Sequence, residues 1–288
     1  METREQVFKR VRRLRYIPTK ERETIIDMLL ENPELQPKKL IREVTEDVLK
    51  ERVTRIETCQ PIPTDIEPKL GEFYQLDKHI IYCGDTSCSP SADPTEFVQN
   101  MPEAAFAFAD PPYGLGVDHW DTEFFFNHDY LIDKAPIVAV TPGQNSLQRL
   151  LSTTSMPYKY AMASWITNGM THGAIGYQNW ILIALFAREG VSLYRQSQDI
   201  VRITIQTSGN TMTAHKGRKP SQLMLKLFDT FTDTGNIIID PFLGSGSSLF
   251  AAEVSDRVFY GGDLSPEYIK KAIERWQGIT GLTARILK

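Results

Sequence analysis

The four residues Asp110-Pro111-Pro112-Tyr113 carry the most specific chemistry in this 288-residue chain. They follow the apolar run 105–109, and Gly114 comes next. A carboxylate at the end of a buried strand can accept one N–H of an aromatic amine, and the Pro111 carbonyl can accept the other. Both bonds together draw the nitrogen lone pair out of conjugation with the ring, which alkyl transfer to such a nitrogen requires. Two prolines offer no N–H and hold φ, so they stiffen the turn that aims these acceptors. Tyr113 adds an aromatic face on which an extruded base can stack. A donor held in line with the nitrogen supplies rate through positioning. Asp-Pro alone is a common turn, but these four residues in this order after an apolar strand are not.

A second constellation lies downstream. The run 236–240 ends in Asp240-Pro241-Phe242-Leu243-Gly244-Ser245-Gly246-Ser247-Ser248 and leads into an apolar helix through Leu249, Phe250, Ala251 and Ala252. A strand, a glycine-rich turn and a helix make a nucleotide-type pocket, in which Gly244 and Gly246 let backbone approach a ligand. Val258-Phe259-Tyr260-Gly261-Gly262 then ends in Asp263, 19 positions after Gly244. That is close to the spacing of about 20 at which an acid reaches ribose hydroxyls in βαβ folds. The turn lacks a Gly-Lys-Ser/Thr ending, which excludes a triphosphate loop. A dinucleotide enzyme fits this pocket but leaves the 110–113 turn unexplained.

The elements that must position these residues follow from periodicity. Short apolar runs at 79–83, 104–109, 137–141, 179–187, 236–240 and 258–262 alternate with longer mixed stretches, the βα rhythm of a parallel sheet. Several lead into acids: Asp85, Asp110, Asp240 and Asp263. Open α/β sheets bind ligands outside the carboxyl ends of their strands, so the repeated acids predict one shared site.

The first 60 residues have a different texture and read as a helical extension. Thr19 is placed to cap a helix, with Glu21 suited to its first turn and Arg22 where a capping box would carry Glu or Gln. Ile25, Ile26, Leu29 and Leu30 follow at helical spacing, and Asn32-Pro33 stops them. Pro37 suits the first turn of a longer helix carrying Leu40, Ile41, Val44, Val48 and Leu49. Two readings stand. One is a helix-turn-helix, with 40–44 as first helix, Thr45-Glu46-Asp47 as turn and 48–56 as reader. The other is a helical brace or dimerisation arm. Lys9, Arg10, Arg12, Arg13 and Arg15 form a basic cluster suited to phosphates. Pro61-Ile62-Pro63-Thr64-Asp65 reads as a linker.

Composition bounds the classes. A formal net charge of −4 confines any nucleic-acid surface to a local patch. Cys59, Cys83 and Cys88 are too few for a disulfide framework and lack zinc-site spacing. The charged N-terminus and the absence of long apolar runs predict no signal peptide and no membrane span, hence a cytoplasmic protein, or a nucleoid-associated one in a prokaryote or virus.

Taken together, these motifs resemble the DNA amino-methyltransferases, the N6-adenine and N4-cytosine enzymes. The Asp-Pro-Pro-Tyr motif precedes the Asp-Pro-Phe-Leu-Gly-Ser-Gly motif, the permuted order of the group called β. Gly71–Leu76 followed by Ile81-Tyr82-Cys83-Gly84-Asp85-Thr86 is similar to the segment that opens the family's domain. His215-Lys216-Gly217-Arg218-Lys219-Pro220-Ser221 is similar to the one before the donor strand, although Lys216 replaces the family's usual proline. Trp276 with Thr280-Gly281 and Ala284 is similar to the C-terminal helix ending.

The resemblance covers about 69–288 and implies a Rossmann-like methyltransferase domain, an α/β fold with a seven-stranded, mostly parallel sheet. It implies S-adenosylmethionine as donor, double-stranded DNA as substrate, base flipping, and no metal or membrane. It leaves open a homodimer and a cognate restriction enzyme. Asp110, Pro111, Pro112 and Tyr113 would be catalytic. Asp85, Thr86, Lys219, Ser221, Asp240, Phe242, Gly244, Ser245, Gly246, Asp263 and Leu264 would bind the donor, Asp85 at its adenine and Lys219 and Ser221 near its methionine end.

Asp rather than Ser at the head of the motif leans toward N6-adenine, with N4-cytosine as the alternative and a DNA-binding protein without catalysis as the rival class. A C5-cytosine enzyme is excluded, since no cysteine follows a proline. Target recognition is expected in an insert at about 143–214, where Asn168, Thr171, His172, Tyr177, Gln178 and Arg195 are candidates for base edges or phosphates. Trp165 and Trp180 read as core.

Overall fold

A computed structural model describes residues 2–88, 94–114, 125–169, 171–173, 175–195, 197–204 and 219–287. The His215-Lys216-Gly217-Arg218 part of the motif before the donor strand lies outside these residues.

The N-terminal region is helical. It comprises α1 (Arg4–Arg10), a 3₁₀ turn (Arg12–Tyr16), α2 (Thr19–Glu31) and α3 (Pro37–Thr58). Thr3 and Gln6 form a reciprocal capping box at the start of α1. Thr19 does not cap α2; Pro18 holds that position. Thr19 instead gives its backbone N–H and its hydroxyl to Asp233, each at 2.6 Å. An acid brought by the fold therefore satisfies a donor that the local sequence left open. α3 is one unbroken helix, so the helix-turn-helix reading is overturned. Thr45, in the expected turn, returns its hydroxyl to the Ile41 carbonyl at 2.8 Å within the helix.

The rest is built on strands in the order of the chain: β1 (Glu72–Leu76), β2 (His79–Cys83), α4 (Glu96–Gln99), β3 (Phe106–Ala109), α5 (Leu131–Lys134), β4 (Ile137–Val140) and α6 (Leu147–Thr153). Then come β5 (Tyr158–Ile166), a small hairpin of β6 (Thr171–Gly173) and β7 (Gly176–Gln178), β8 (Trp180–Ala187) and β9 (Ile200–Ile203). The last elements are α7 (Ser221–Phe231), β10 (Ile237–Asp240), α8 (Ser247–Val254), β11 (Val258–Asp263), α9 (Pro266–Thr280) and β12 (Arg285–Leu287).

The main sheet runs β12-β1-β2-β11-β10-β3-β4-β8-β5-β9. Its middle, β2-β11-β10-β3-β4, is parallel, β8 is antiparallel to both neighbours, and β5 again points with the parallel set. These seven strands form the expected sheet. Antiparallel β1 and β12 at one edge and β9 at the other extend it to ten.

Parallel strands covered on both faces are apolar throughout, as in β3 and β4. Alternate residues face opposite layers. Phe106 and Phe108 pack with Leu223, Phe228 and Leu249 of α7 and α8, while Ala107 and Ala109 face Phe97, Leu131 and Leu150 of α4, α5 and α6. Truncating a fully buried ring such as Phe228 to alanine costs about 3–5 kcal/mol.

The N-terminal helices bury a core of their own around Val7, Leu14, Ile25, Leu29 and Ile41. Val53 and Ile56 of α3 enter the main core instead. Arg52 bonds Glu21 at 2.5 Å and Asp229 of α7 at 3.2 Å, fastening α2, α3 and α7 together. The expected linker is docked rather than loose. Ile62 donates its N–H to the Glu274 carbonyl at 2.9 Å, and a Cβ on Gly278 would sit 2.0 Å from the Gln60 carbonyl oxygen. Only glycine allows α9 so close to that strap.

Candidate active site

β3 and β10 are neighbours and parallel, so the residues leaving their carboxyl ends meet. Asp110 leaves β3. Its Oδ1 accepts from the Tyr113 hydroxyl at 2.9 Å and from the Thr141 hydroxyl at 2.6 Å. Its Oδ2 accepts from Lys219 Nζ at 2.5 Å, and the same ammonium lies 5.1 Å from the centre of the Tyr113 ring. Burial alone would lower the Lys219 pKa, but the charge and hydrogen bond of Asp110 outweigh it, and the ammonium is held above its ordinary range. Burial, then the nearby Asp110 charge, pushes the Tyr113 phenol up to about 12, so it stays a donor.

The turn is shaped from outside as well. Gly143, at φ +71°, lies against the Tyr113 ring, where a Cβ would come within 3.1 Å. Ser146 donates its hydroxyl to the Tyr113 carbonyl at 2.9 Å. Thr141 and Ser146 were not picked out from sequence as site residues. The available signal was that Thr141 closes an apolar run parallel to the one Asp110 follows.

The glycine-rich turn sits beside it. Asp240, buried at the end of β10, accepts from the Phe242 N–H at 2.8 Å and from the Ser248 hydroxyl. Burial raises its pKa to about 7, against the lowering effect of those two bonds. Asp263, at the end of β11, accepts from the Gly244 N–H and the Ser265 N–H, both at 2.8 Å. Burial raises its pKa too. In this arrangement Asp263 braces the glycine turn itself. Gly246 takes φ +87° and begins α8, and a Cβ there would meet the Phe250 ring at 2.5 Å.

β2 brings the next wall. Gly84 donates its N–H to the Asp263 carbonyl at 2.9 Å, which sets Asp85 and Thr86 beside the end of β11. Thr86 gives its hydroxyl proton to the Pro241 carbonyl at 2.9 Å, so the 3.2 Å contact with His128 Nε2 requires a proton on that nitrogen. Burial lowers the His128 pKa to about 3, leaving a neutral ring 4.4 Å from Phe242. Among the described residues its Nδ1 is then a buried acceptor without a partner, and the Ser247 hydroxyl is likewise buried and unpartnered. His128 was missed because a lone histidine in a mixed stretch carries no spacing signal.

Most of the expected residues thus converge: Asp110 to Tyr113, Lys219, Asp240 to Gly246, Asp263 and Thr86. Asp85 is exposed and accepts from the Ser87 N–H, and Leu264 is an exposed rim residue. Ser221, at the start of α7, turns its hydroxyl to Glu57 of α3 at 2.6 Å.

The recognition candidates divide. Asn168, Tyr177 and Gln178 lie on the same edge as Asp110. Arg195 follows β8 and precedes β9, at the opposite edge of the sheet, beside Tyr16 and Asp229. Trp165 and Trp180 are register partners across β5 and β8 and are 38% and 39% exposed, not core. Arg202 lies 4.8 Å over the Trp165 ring.

A mostly parallel α/β sheet of this kind is the fold of solved S-adenosylmethionine-dependent methyltransferases. Residues 151–274 match the N6_N4_Mtase family, described as DNA methylase. Less than half of the chain lies within the matched range. The matched range contains Lys219, the glycine turn and Asp263, while the 110–113 turn lies before it.

Type II methyltransferase M.HindIII of Haemophilus influenzae is 30% identical over 122 residues, 41% of this chain and 32% of that protein. DNA adenine methyltransferase YhdJ of Escherichia coli is 34% identical over 61 residues, 21% of each chain. The chain thus matches about a third or less of the length of these curated relatives. The crystal structure of an M1.HpyAVI-SAM complex aligns with a TM-score of 0.51 at 19% identity, over 68% of this chain and 98% of that one, and shares the fold.

Proposed function

We propose that this protein is a DNA methyltransferase that moves a methyl group from S-adenosylmethionine to the N6 amino group of an adenine flipped out of the duplex. The observation that carries this reading is the junction of the 110–113 turn with the glycine turn at adjacent strand ends. Asp110 there offers a carboxylate beside an aromatic face, next to a glycine turn braced by Asp240 and Asp263.

The site's own features suit the donor. Asp110, Asp240 and Asp263 bring hydrogen-bond acceptors to the place where the donor would lie. The position of a Cβ on Gly244, at φ +51°, is open to everything but the Phe242 carbonyl at 3.9 Å, so backbone is bared to a ligand. The His128 Nδ1 and the Ser247 hydroxyl, buried and without a partner among the described residues, can pair with the polar groups of such a molecule. When bound, the donor supplies an electrophilic methyl group. Phe242, the glycine turn and Asp263 would hold it, with Lys219 and Ser221 toward its methionine end.

The chain's residues then do the rest. Tyr113 stacks the extruded base. Asp110 and the Pro111 carbonyl accept the two amino N–H bonds, which exposes the nitrogen lone pair in line with the methyl carbon. Adenine is favoured by Asp rather than Ser at position 110, and the Escherichia coli relative is named an adenine enzyme. The family's name covers N4-cytosine as well, which is the second reading. We assign 69–288 to the methyltransferase domain, with an insert at about 143–214 presenting the DNA-reading surface. Residues 1–60 form a helical brace.

Incubation with labelled S-adenosylmethionine and unmethylated DNA of mixed sequence, followed by nucleoside analysis and methylation-aware sequencing, tests this. N6-methyladenine at a defined target is the expected product. N4-methylcytosine would transfer the assignment to the second reading, and unlabelled DNA would overturn both.

A further inference from the structure

A carboxylate oxygen has two lone pairs. Oδ1 of Asp110 has both engaged, by the Tyr113 hydroxyl at 2.9 Å and the Thr141 hydroxyl at 2.6 Å. Among the described residues Oδ2 has one engaged, by Lys219 at 2.5 Å, and one left over. The two oxygens therefore have different work. The one held by two hydroxyls is the anchored oxygen, and an incoming N–H must go to the other.

Thr141 is built to hold that anchor. It is fully buried, and its N–H bonds the Ala109 carbonyl at 2.9 Å, so the parallel pairing of β3 and β4 runs up to the residue before Asp110. Its position is thus fixed by the sheet rather than by a loop. Five residues on, Ser146 bonds the Tyr113 carbonyl at 2.9 Å, and Gly143 between them backs the Tyr113 ring. One short segment, 141–146, grips the 110–113 turn at both ends.

We infer that Thr141 is a positioning residue for methyl transfer, its hydroxyl anchoring Oδ1 of Asp110 so that Oδ2 faces the target amine. The inference rests on the methyltransferase reading above. Without the anchor the carboxylate can turn about its own bond, and a misplacement of about 1 Å at a reacting group costs on the order of 100-fold in rate. The donor pocket, walled by β2, β10 and β11, is not touched by this change.

The test compares wild type, Thr141→Val and Thr141→Ser in steady-state methylation of unmethylated mixed-sequence DNA, with the Kd for S-adenosylmethionine measured by calorimetry. Thr141→Val should lose about tenfold or more in kcat, with KM for DNA and donor Kd within about twofold of wild type. Thr141→Ser, which keeps the hydroxyl, should return kcat to within about threefold. Where the valine variant does not fold, Thr141→Ala against Thr141→Ser poses the same question, since they differ by the hydroxyl alone.

Wild-type kcat in Thr141→Val, equal losses in the valine and serine variants, or a loss confined to KM or donor Kd would each overturn the inference. A wild type that binds donor yet methylates no DNA would sink the methyltransferase reading itself, which the variant comparison alone cannot do.

Discussion

Lys219 Nζ lies 2.5 Å from Asp110 Oδ2, across 109 residues of sequence. Family resemblance places Lys219 toward the methionine end of the donor. The fold brings it onto the acid that would receive the target base, so one ammonium links the donor side of the site to the acceptor side. A base amine entering at Oδ2 must share that oxygen with Lys219 or displace it.

Replacing Asp110 by alanine should cripple methyl transfer while leaving donor binding nearly intact. We expect kcat to fall on the order of 10²–10³-fold, the scale of losing one preorganised polar contact to a transition state. The donor Kd, measured by calorimetry, should stay within about threefold. Full activity in Asp110→Ala would remove the residue from the reaction.

Asp263→Ala should act on binding. Its two oxygens hold the Gly244 and Ser265 N–H groups at 2.8 Å, so the variant loosens the glycine turn that would hold the donor. Charged hydrogen bonds of about 1.5–3 kcal/mol correspond to about 10–100-fold in Kd. An unchanged donor Kd would take Asp263 out of the pocket.

Asp240 gives a pH signature. Burial lifts its pKa from the ordinary 3.8 to about 7. Between those values the folded chain keeps a proton that the unfolded chain releases, so this residue's contribution to stability falls as pH rises through the window and levels off above it. The limiting slope is about 1.4 kcal/mol per pH unit. Unfolding of ligand-free wild type and Asp240→Asn should therefore show wild type losing ground to the variant from pH 4.5 to 7. A constant difference across that range would refute the assignment.

Arg52 tests the helical brace. It is buried between Glu21 and Asp229, and removing one member of such a group strands the others. Arg52→Ala should cost about 3–5 kcal/mol in urea unfolding. A loss below about 1 kcal/mol would mean that the N-terminal helices are not fastened through this contact.

The parallel strands were legible because burial on both faces demands apolar runs, and Phe106–Ala109, Ile137–Val140 and Ile237–Asp240 are such runs. β5 was missed: Tyr158–Ile166 is partly exposed near the sheet edge, and its mixed pattern does not stand out. The unity of α3 was missed because its polar 45–47 stretch reads as a turn until packing at both ends holds the helix through it.

Local spacing was enough to pick out the candidate reacting groups. An acid before two prolines and a tyrosine, and an acid on each side of a glycine turn, are short-range patterns whose chemistry follows from residue type. What the fold alone decided is which groups meet those acids. Thr141 on Asp110, Lys219 on Asp110 and His128 against Thr86 each join residues 31 to 109 positions apart. Such contacts depend on which strands become neighbours in the sheet, and sheet order is a property of global packing that no local pattern encodes.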